Sequence, residues 1–379
     1  MYTSMKPLLA QKGQVVRLLE SHDRFSTELI RDTVSETGQA FQGVWISGLT
    51  QTTHLGIPDT EIISPLRRAI LEAANIKIHT EGRSLCAAFD ADSGGDIADI
   101  PALVAVLTTI GVSMVIIEDK TLEEPGKKVN SLLKATGSQD QADPHEFAKV
   151  IQAFKSATRG QDLLVTARIE SFNVRIAKAD ATEEEASVQL ALQDALARAA
   201  IYTGAGADAI MIHSKSPSPF EVLEFLKQFR KRDPITPMVV VPTTYSSTSR
   251  ATLVDAGANV IIYANHLMRA KIRAVQNVSD HLLASIPGLF AHDENAKASL
   301  EAQNYGYLLK TLLERDYWVK DTDQEVKQYL IIALKRAIEN MGAAVRELAF
   351  GEKSGCEADG RIIPVKMLLQ INAIQLATI

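Results

Sequence analysis

The apolar run Met114 to Ile117 stops on three consecutive charged residues, Glu118, Asp119 and Lys120, and the stretch after it carries Pro125, Gly126, Lys128, Asn130 and Ser131. An earlier apolar run, Leu85 to Phe89, stops in the same way on Asp90, with Asp92 two positions on and Ser93-Gly94-Gly95 after it. Short apolar runs of this kind have strand character, so each cluster is delivered at a strand end. If the loop after Lys120 folds back, Lys128 and Asn130 can cover an anionic ligand. One charge cluster alone is ordinarily a solvated surface loop. Its repetition at a second strand end argues for a shared site.

Eight such runs recur with helical segments between them: Val15–Leu19, Gly43–Ser47, Leu85–Phe89, Met114–Ile117, Leu163–Ala167, Ala209–Ile212, Met238–Val241 and Val260–Tyr263. Near-continuous apolar strands suit a parallel sheet covered by helices, and strand-then-helix repetition is the mark of β/α units. Thr182 with Glu185, and Ser218-Pro219 with Glu221, fit capping boxes at helix starts. Val188, Ala191, Leu192, Ala195, Leu196 and Ala199 then describe one buried helical face. The alternation predicts a (β/α)8 TIM-type barrel, and no Gly-x-Gly-x-x-Gly turn follows the first strand to favour a dinucleotide fold. The residues just past the strands then line one mouth, among them Glu20 to His22, Ser47 to Leu49, Asp90, Glu118, Arg168, Glu170, His213, Thr243 and Asn265.

The barrel domain is expected over 1–290, with a helical C-terminal extension over 291–379. In that extension Thr322 and Glu325 open a long amphipathic pattern. The chain of 379 residues is 46% hydrophobic, enough to bury a large core. Its net charge of −6, with both signs interspersed, leaves no basic stripe for nucleic acid and no polybasic membrane segment. No apolar run reaches the roughly 18 residues of a membrane span, and the N-terminus lacks the order of a signal peptide. Cys86 and Cys356 are far apart, and Cys86 sits in an apolar run, so a buried thiol in a reducing compartment is expected. These features predict a cytoplasmic location.

The residues Trp45-Ile-Ser47-Gly48-Leu49, Leu55-Gly-Ile-Pro-Asp59, Asp90-Ala-Asp92, Glu118-Asp-Lys120 leading to Asn130-Ser131, Ala167-Arg168-Ile-Glu170, His213-Ser-Lys215, Val241-Pro-Thr243 and Ala264-Asn265-His266 together resemble the phosphoenolpyruvate mutase family. The likeness spans roughly residues 13 to 285. The pairing of Glu-Asp-Lys with Asn-Ser marks the phosphonopyruvate-forming and -cleaving branch of the isocitrate lyase/PEP mutase superfamily. The resemblance implies a Mg2+-dependent isomerase that interconverts phosphoenolpyruvate and phosphonopyruvate as a homodimer or homotetramer. By it, Asp90 would hold Mg2+ largely through water, with Asp59, Asp92 and Glu118 completing the hydrated shell. Ser47, Gly48 and Leu49 would present a hydroxyl and N–H groups to the substrate, Ser131 would join them, and Trp45 would wall the site. Arg168 and Asn130 would hold the phosphoryl group, Lys120 and Lys128 would neutralise charge, and His213 would be a further donor.

The chain departs from the family pattern in three places. The Thr-Gly-Tyr-Gly-Asn turn after the second aspartate is replaced by Ser93-Gly94-Gly95-Asp96, the segment between Lys120 and Asn130 is longer, and Thr244 stands where a lysine commonly follows Val-Pro-Thr. Phosphonopyruvate hydrolase shares the implied residues and is the alternative reading. A carbon–carbon lyase of the superfamily would need a cysteine acid/base where Val129 stands. A non-catalytic binding barrel is the alternative from another class.

Overall fold

The computed structural model describes residues 2–11, 13–57, 59, 61–76, 82–121, 140–175 and 178–284. Eight parallel strands close into a barrel in sequence order: β1 Val16–Ser21, β2 Gly43–Ile46, β3 Cys86–Asp90, β4 Met114–Glu118, β5 Leu164–Ile169, β6 Ala209–Ile212, β7 Met238–Val240 and β8 Val260–Tyr263. The expected (β/α)8 fold is the one observed, and the strand boundaries agree to within one or two residues. Differences fall mainly at the C-terminal ends, where β3, β4 and β5 run on into Asp90, Glu118 and the Arg168-Ile169 pair.

Side chains alternate across each strand, and that alternation sorts the chain into layers. Val16 and Leu18, Trp45, Cys86 and Ala88, Met114 and Ile116, Leu164, Ala209 and Met211, Val239 and Val241, and Val260 and Ile262 fill one interior cluster. Met5 joins it from the N-terminal segment, where Thr3 pairs beside Cys86 and its N–H donates to the Leu85 carbonyl, so this segment covers the N-terminal end of the barrel. Gly43 is required where β2 meets β3, because a Cβ there would lie 2.3 Å from the Cys86 carbonyl oxygen. The Cys86 side chain is buried, and burial pushes its thiol up to about 12.

Outward-facing residues meet the surrounding helices. The helix Ala181–Gly204 buries Val188, Ala191, Leu192, Ala195, Leu196 and Ala199, the face its sequence predicts. Its start differs from the expected Thr182–Glu185 box. Asp180 is the cap, accepting from the N–H groups of Thr182 at 2.9 Å and Glu183 at 3.0 Å. The helix Phe220–Arg232 also lacks the expected capping box: Pro219 takes the cap position, and Glu221 instead binds the Ser214 hydroxyl and Arg175. No helix among the described residues is long and apolar enough to cross a membrane.

The described residues fall into two compact units. One runs to Asp32 and from Ala40 to Met268 and contains the whole barrel; the other includes, among the described residues, Thr33–Gln39 and 269–284, the latter within the helix His266–Ala284. The extension beyond, including Thr322, Glu325 and Cys356, lies outside the described residues.

Asp119 shows how the outward layer is pinned. Its carboxylate accepts from the Tyr202 hydroxyl at 2.6 Å, Gln141 at 2.9 Å, Arg198 at 3.3 Å and the Glu170 N–H at 2.9 Å. Burial lifts the carboxyl to about 6, with Tyr202 and Arg198 opposing the shift. Removing the hydroxyl in Tyr202→Phe is expected to cost about 1.5–3 kcal/mol, the range for a hydrogen bond to a charged group. The expected result is a lower urea midpoint, and an unchanged midpoint would contradict this role.

Candidate active site

The inward alternation continues past the apolar interior into polar residues. Ser47 follows Trp45 by two positions, Asp90 follows Ala88, Glu118 follows Ile116, Arg168 follows Thr166, His213 follows Met211 and Thr243 follows Val241. These residues form the next layer toward the C-terminal mouth, where barrels of this type place their sites. A cavity of about 600 Å3, counted out to the solvent at its opening, is lined by Trp45, Ser47, Leu49, Asp59, Asp90, Asp92, Glu118, Lys120, Arg168, Met211, His213, Val241, Thr243, Ala264 and Asn265. Ten of the fourteen residues expected from the sequence are in that lining. Gly48 is not in the lining but adjoins Asp90 and Asp92, which are, and Lys128, Asn130 and Ser131 lie outside the described residues.

The carboxylates are held by different partners. Glu118 and Arg168 are direct cross-strand neighbours on β4 and β5, and Arg168 reaches Glu118 Oε2 at 3.2 Å while Lys120 reaches Oε1 at 3.2 Å. Arg168 also binds Glu170 through Nε, and Glu170 accepts a second bond from Asn173. Asp90 accepts from the Gly48 N–H at 3.1 Å and from the Asp92 N–H at 3.3 Å. In the absence of a ligand the Gly48 N–H is given to Asp90. The missing Gly48 side chain also matters, since a Cβ there would sit 3.3 Å from both Asp90 Oδ2 and Asp92 Oδ1. The Ser47 hydroxyl caps the helix Gly48–His54 by accepting from the Thr50 N–H at 3.4 Å.

Asp92 has φ of +50°, a left-handed conformation uncommon for a side-chain-bearing residue. Arg68 fastens it there: the guanidinium binds Asp92 Oδ2 at 2.5 Å, the Asp90 carbonyl at 2.6 Å and Gln51 at 3.2 Å. Gln51 in turn donates to Glu72, which also accepts from the Tyr2 hydroxyl. Sequence reasoning missed Arg68, which is 1% exposed. A local signal exists: on the helix Pro65–Ile76 the buried positions are Pro65, Arg68, Ala69 and Glu72, a helical stripe that is half charged, while Ile70 and Leu71 face out. The turn after Asp92 is tied down as well, with Ser93 donating through N–H and hydroxyl to Glu61. Asp96 caps the short helix Ile97–Asp99 and takes no part in the cavity lining. Thr244, at the position of the family lysine, donates to the Ser214 carbonyl at 2.7 Å.

Three buried polar atoms on cavity-lining residues, His213 Nδ1, Thr243 Oγ1 and Asn265 Oδ1, have no hydrogen-bond partner among the described residues. A buried polar group left in this way costs about 1–3 kcal/mol. Their placement suits a ligand that supplies the missing bonds. Burial, reinforced by the Arg168 guanidinium, pulls the His213 imidazole down to about 4. The carboxylates Asp59, Asp90, Asp92 and Glu118 form an all-oxygen donor set, as Mg2+ requires. They do not constitute a tight cluster of three ligand atoms within 4.8 Å, which among the described residues occurs elsewhere. Such a spread ring fits an ion that keeps several of its waters.

Fold and cavity together define a (β/α)8 barrel enzyme whose mouth sets carboxylates against fixed cations. Residues 5–283 match the family model for phosphoenolpyruvate phosphomutase. The phosphoenolpyruvate phosphomutase of Tetrahymena pyriformis is 31% identical over 278 residues, covering 73% of this chain and 82% of that protein. A crystal structure of phosphoenolpyruvate phosphomutase from Streptomyces platensis subsp. rosaceus superposes with a TM-score of 0.61 at 33% identity, covering 74% of this chain and 86% of that one. A crystal structure of phosphonopyruvate hydrolase in complex with oxalate and Mg++ shares the fold, with a TM-score of 0.60 at 24% identity and coverage of 84% and 100%. The chain belongs to the phosphoenolpyruvate phosphomutase family of the isocitrate lyase/PEP mutase superfamily, and is an enzyme of isomerase type.

The environment of His213 makes a pH prediction. Its folded pKa lies below the ordinary 6.5, so protonation favours the unfolded chain and this residue's contribution to stability falls as the pH drops from about 6.5 toward about 4. Ring-nitrogen NMR of the folded enzyme is expected to find His213 neutral at pH 6, and a midpoint near 6.5 would contradict it.

Proposed function

We propose that the chain interconverts phosphoenolpyruvate and 3-phosphonopyruvate, the P–C bond-forming step of phosphonate biosynthesis. The observation that carries the reading is the one cavity lined by Asp90, Asp92 and Glu118 together with Lys120, Arg168 and His213. In this reading Asp90, with Asp59, Asp92 and Glu118 around it, would hold Mg2+, which when bound supplies positive charge to the enolate oxygen. The fold neighbour phosphonopyruvate hydrolase, whose crystal structure is a complex with oxalate and Mg++, supports use of a divalent cation.

The reaction breaks the bond from phosphorus to the enol oxygen and forms one from phosphorus to the methylene carbon, with no proton gained or lost. Phosphoryl transfer proceeds through a loose transition state that asks for positioning and charge stabilisation rather than a protein nucleophile. Arg168 would hold the travelling phosphoryl through its planar fork, pre-set by Glu118 and Glu170. Asn130, from the connection after β4, would also hold it, with Lys120 and Lys128 balancing its charge. Ser47, Gly48, Leu49 and Ser131 would orient the carboxylate end against the wall formed by Trp45. His213, kept neutral, would hydrogen-bond without exchanging a proton, which suits a reaction that needs none.

Phosphonopyruvate hydrolysis is the second reading, because the same residues would serve if water instead of the enolate carbon took the phosphoryl group. We place the catalytic domain at 1–290 and a helical extension at 291–379, in a cytoplasmic homodimer or homotetramer. Phosphorus NMR of the enzyme with phosphonopyruvate and Mg2+ tests the proposal. Appearance of phosphoenolpyruvate supports it, inorganic phosphate supports hydrolysis, and an unchanged spectrum overturns both. Asn130→Ala is expected to lower turnover by about 100-fold or more, as for loss of a transition-state donor, with circular dichroism unchanged. Turnover within twofold of the parent would remove Asn130 from the site.

A further inference from the structure

A second group of ligating side chains stands at the same end of the barrel, outside the cavity. His22 follows β1 directly, Asp23 is the next residue, and His54 is the last residue of the helix Gly48–His54. One ligand atom from each lies within 4.8 Å of the other two, the one such grouping among the described residues. None of the three lines the substrate cavity.

The outer contacts aim these atoms. His22 Nδ1 meets Glu20 Oε1 at 2.5 Å, and the other oxygen of Glu20 accepts the Met268 N–H at 3.0 Å, so the carboxylate facing the ring is held through both oxygens. Nε2 is thereby directed to Asp23, whose Oδ2 lies 3.5 Å away. The other oxygen of Asp23 is held by the Ser26 N–H at 2.7 Å. A carboxylate on the far nitrogen of a ligating histidine is the usual means of fixing its tautomer and raising its basicity. The His54 ring stands 5.7 Å from that of His22, tilted by 44°. For metal bonds of about 2.0–2.1 Å, two ligand atoms of a tetrahedral site are about 3.3–3.4 Å apart, close to the His22–Asp23 separation. Burial is graded, from buried His22 through half-buried Asp23 to exposed His54, which gives an ion a path in from solvent.

We propose that His22, Asp23 and His54 form a metal site for a borderline divalent transition ion of the Zn2+ class. Two imidazoles and one carboxylate suit that class, in contrast to the all-oxygen set in the cavity. Three protein ligands leave a fourth position for water. The ion ties the start of the helix Arg24–Asp32 to the end of the helix Gly48–His54, whose capping residue Ser47 lines the cavity.

The test is calorimetric titration of Zn2+ into chelator-treated full-length enzyme with Mg2+ in excess, so that the oxygen ligands are already engaged, for the parent, His54→Ala and His54→Cys. The expected result is one equivalent of Zn2+ on the parent, an affinity lower by about 100-fold or more in His54→Ala, and retention in His54→Cys, which keeps a ligand. Thermal melts should show Zn2+ stabilising the parent and His54→Cys but not His54→Ala. His54 is exposed, and a melt of metal-free His54→Ala that keeps the parent's cooperative transition checks that its fold is intact. No Zn2+ uptake by the parent, or isotherms that coincide for the parent and His54→Ala, would overturn the proposal.

Discussion

Ionised carboxylates withdrawn from water must be compensated on the spot, and the mouth of this barrel is organised around that requirement. Glu118, 2% exposed, is shared between Lys120 and Arg168. Asp92, 3% exposed, is balanced by Arg68, and Asp90 by the N–H groups of Gly48 and Asp92. Glu170 has no exposed surface and takes Arg168 and Asn173. Replacing any one partner leaves a buried charge without its complement, which is why the arrangement is stiff. For Glu170, burial opposes the charged form, but the Arg168 guanidinium and Lys120 outweigh it and hold the carboxyl below the usual carboxylate range.

The barrel supplies the geometry for this balance. Parallel strands buried on both faces place every second residue inside, and the polar top layer is the continuation of that count. β4 shows the consequence most plainly. Glu118 and Lys120 face the cavity, while Asp119 between them turns outward to Tyr202, Gln141 and Arg198. One three-residue cluster therefore serves two purposes, lining the cavity and anchoring the wall that carries it. The neutral state of His213 follows from the same crowding, since burial and the adjacent Arg168 both oppose a further positive charge.

Much of this was legible from residue order alone. The strands could be read because apolar runs covered on both sides need no polar alternation, and the cavity residues because they follow those runs by fixed steps. The reading fell short where tertiary contacts decide. Arg68 looks no different from Arg67 in the sequence, yet only Arg68 turns inward, toward Asp92 and the Asp90 carbonyl. Asp180 rather than Thr182 caps its helix, because the helix begins earlier than the apolar periodicity does. Glu221 leaves its expected capping role for Ser214 and Arg175, whose charge and proximity are invisible in local pattern. The bond from the Gly48 N–H to Asp90 is likewise a tertiary contact that local pattern does not reveal.

The central claim is that the carboxylates at the ends of β3 and β4 would hold a divalent cation beside the Arg168 guanidinium. Calorimetric titration of Mg2+ into the parent enzyme and into Asp90→Asn tests it most directly. The account predicts one bound Mg2+ per chain in the parent and an affinity weaker by at least about tenfold once the Asp90 charge is removed. Superimposable isotherms for the two proteins would contradict it.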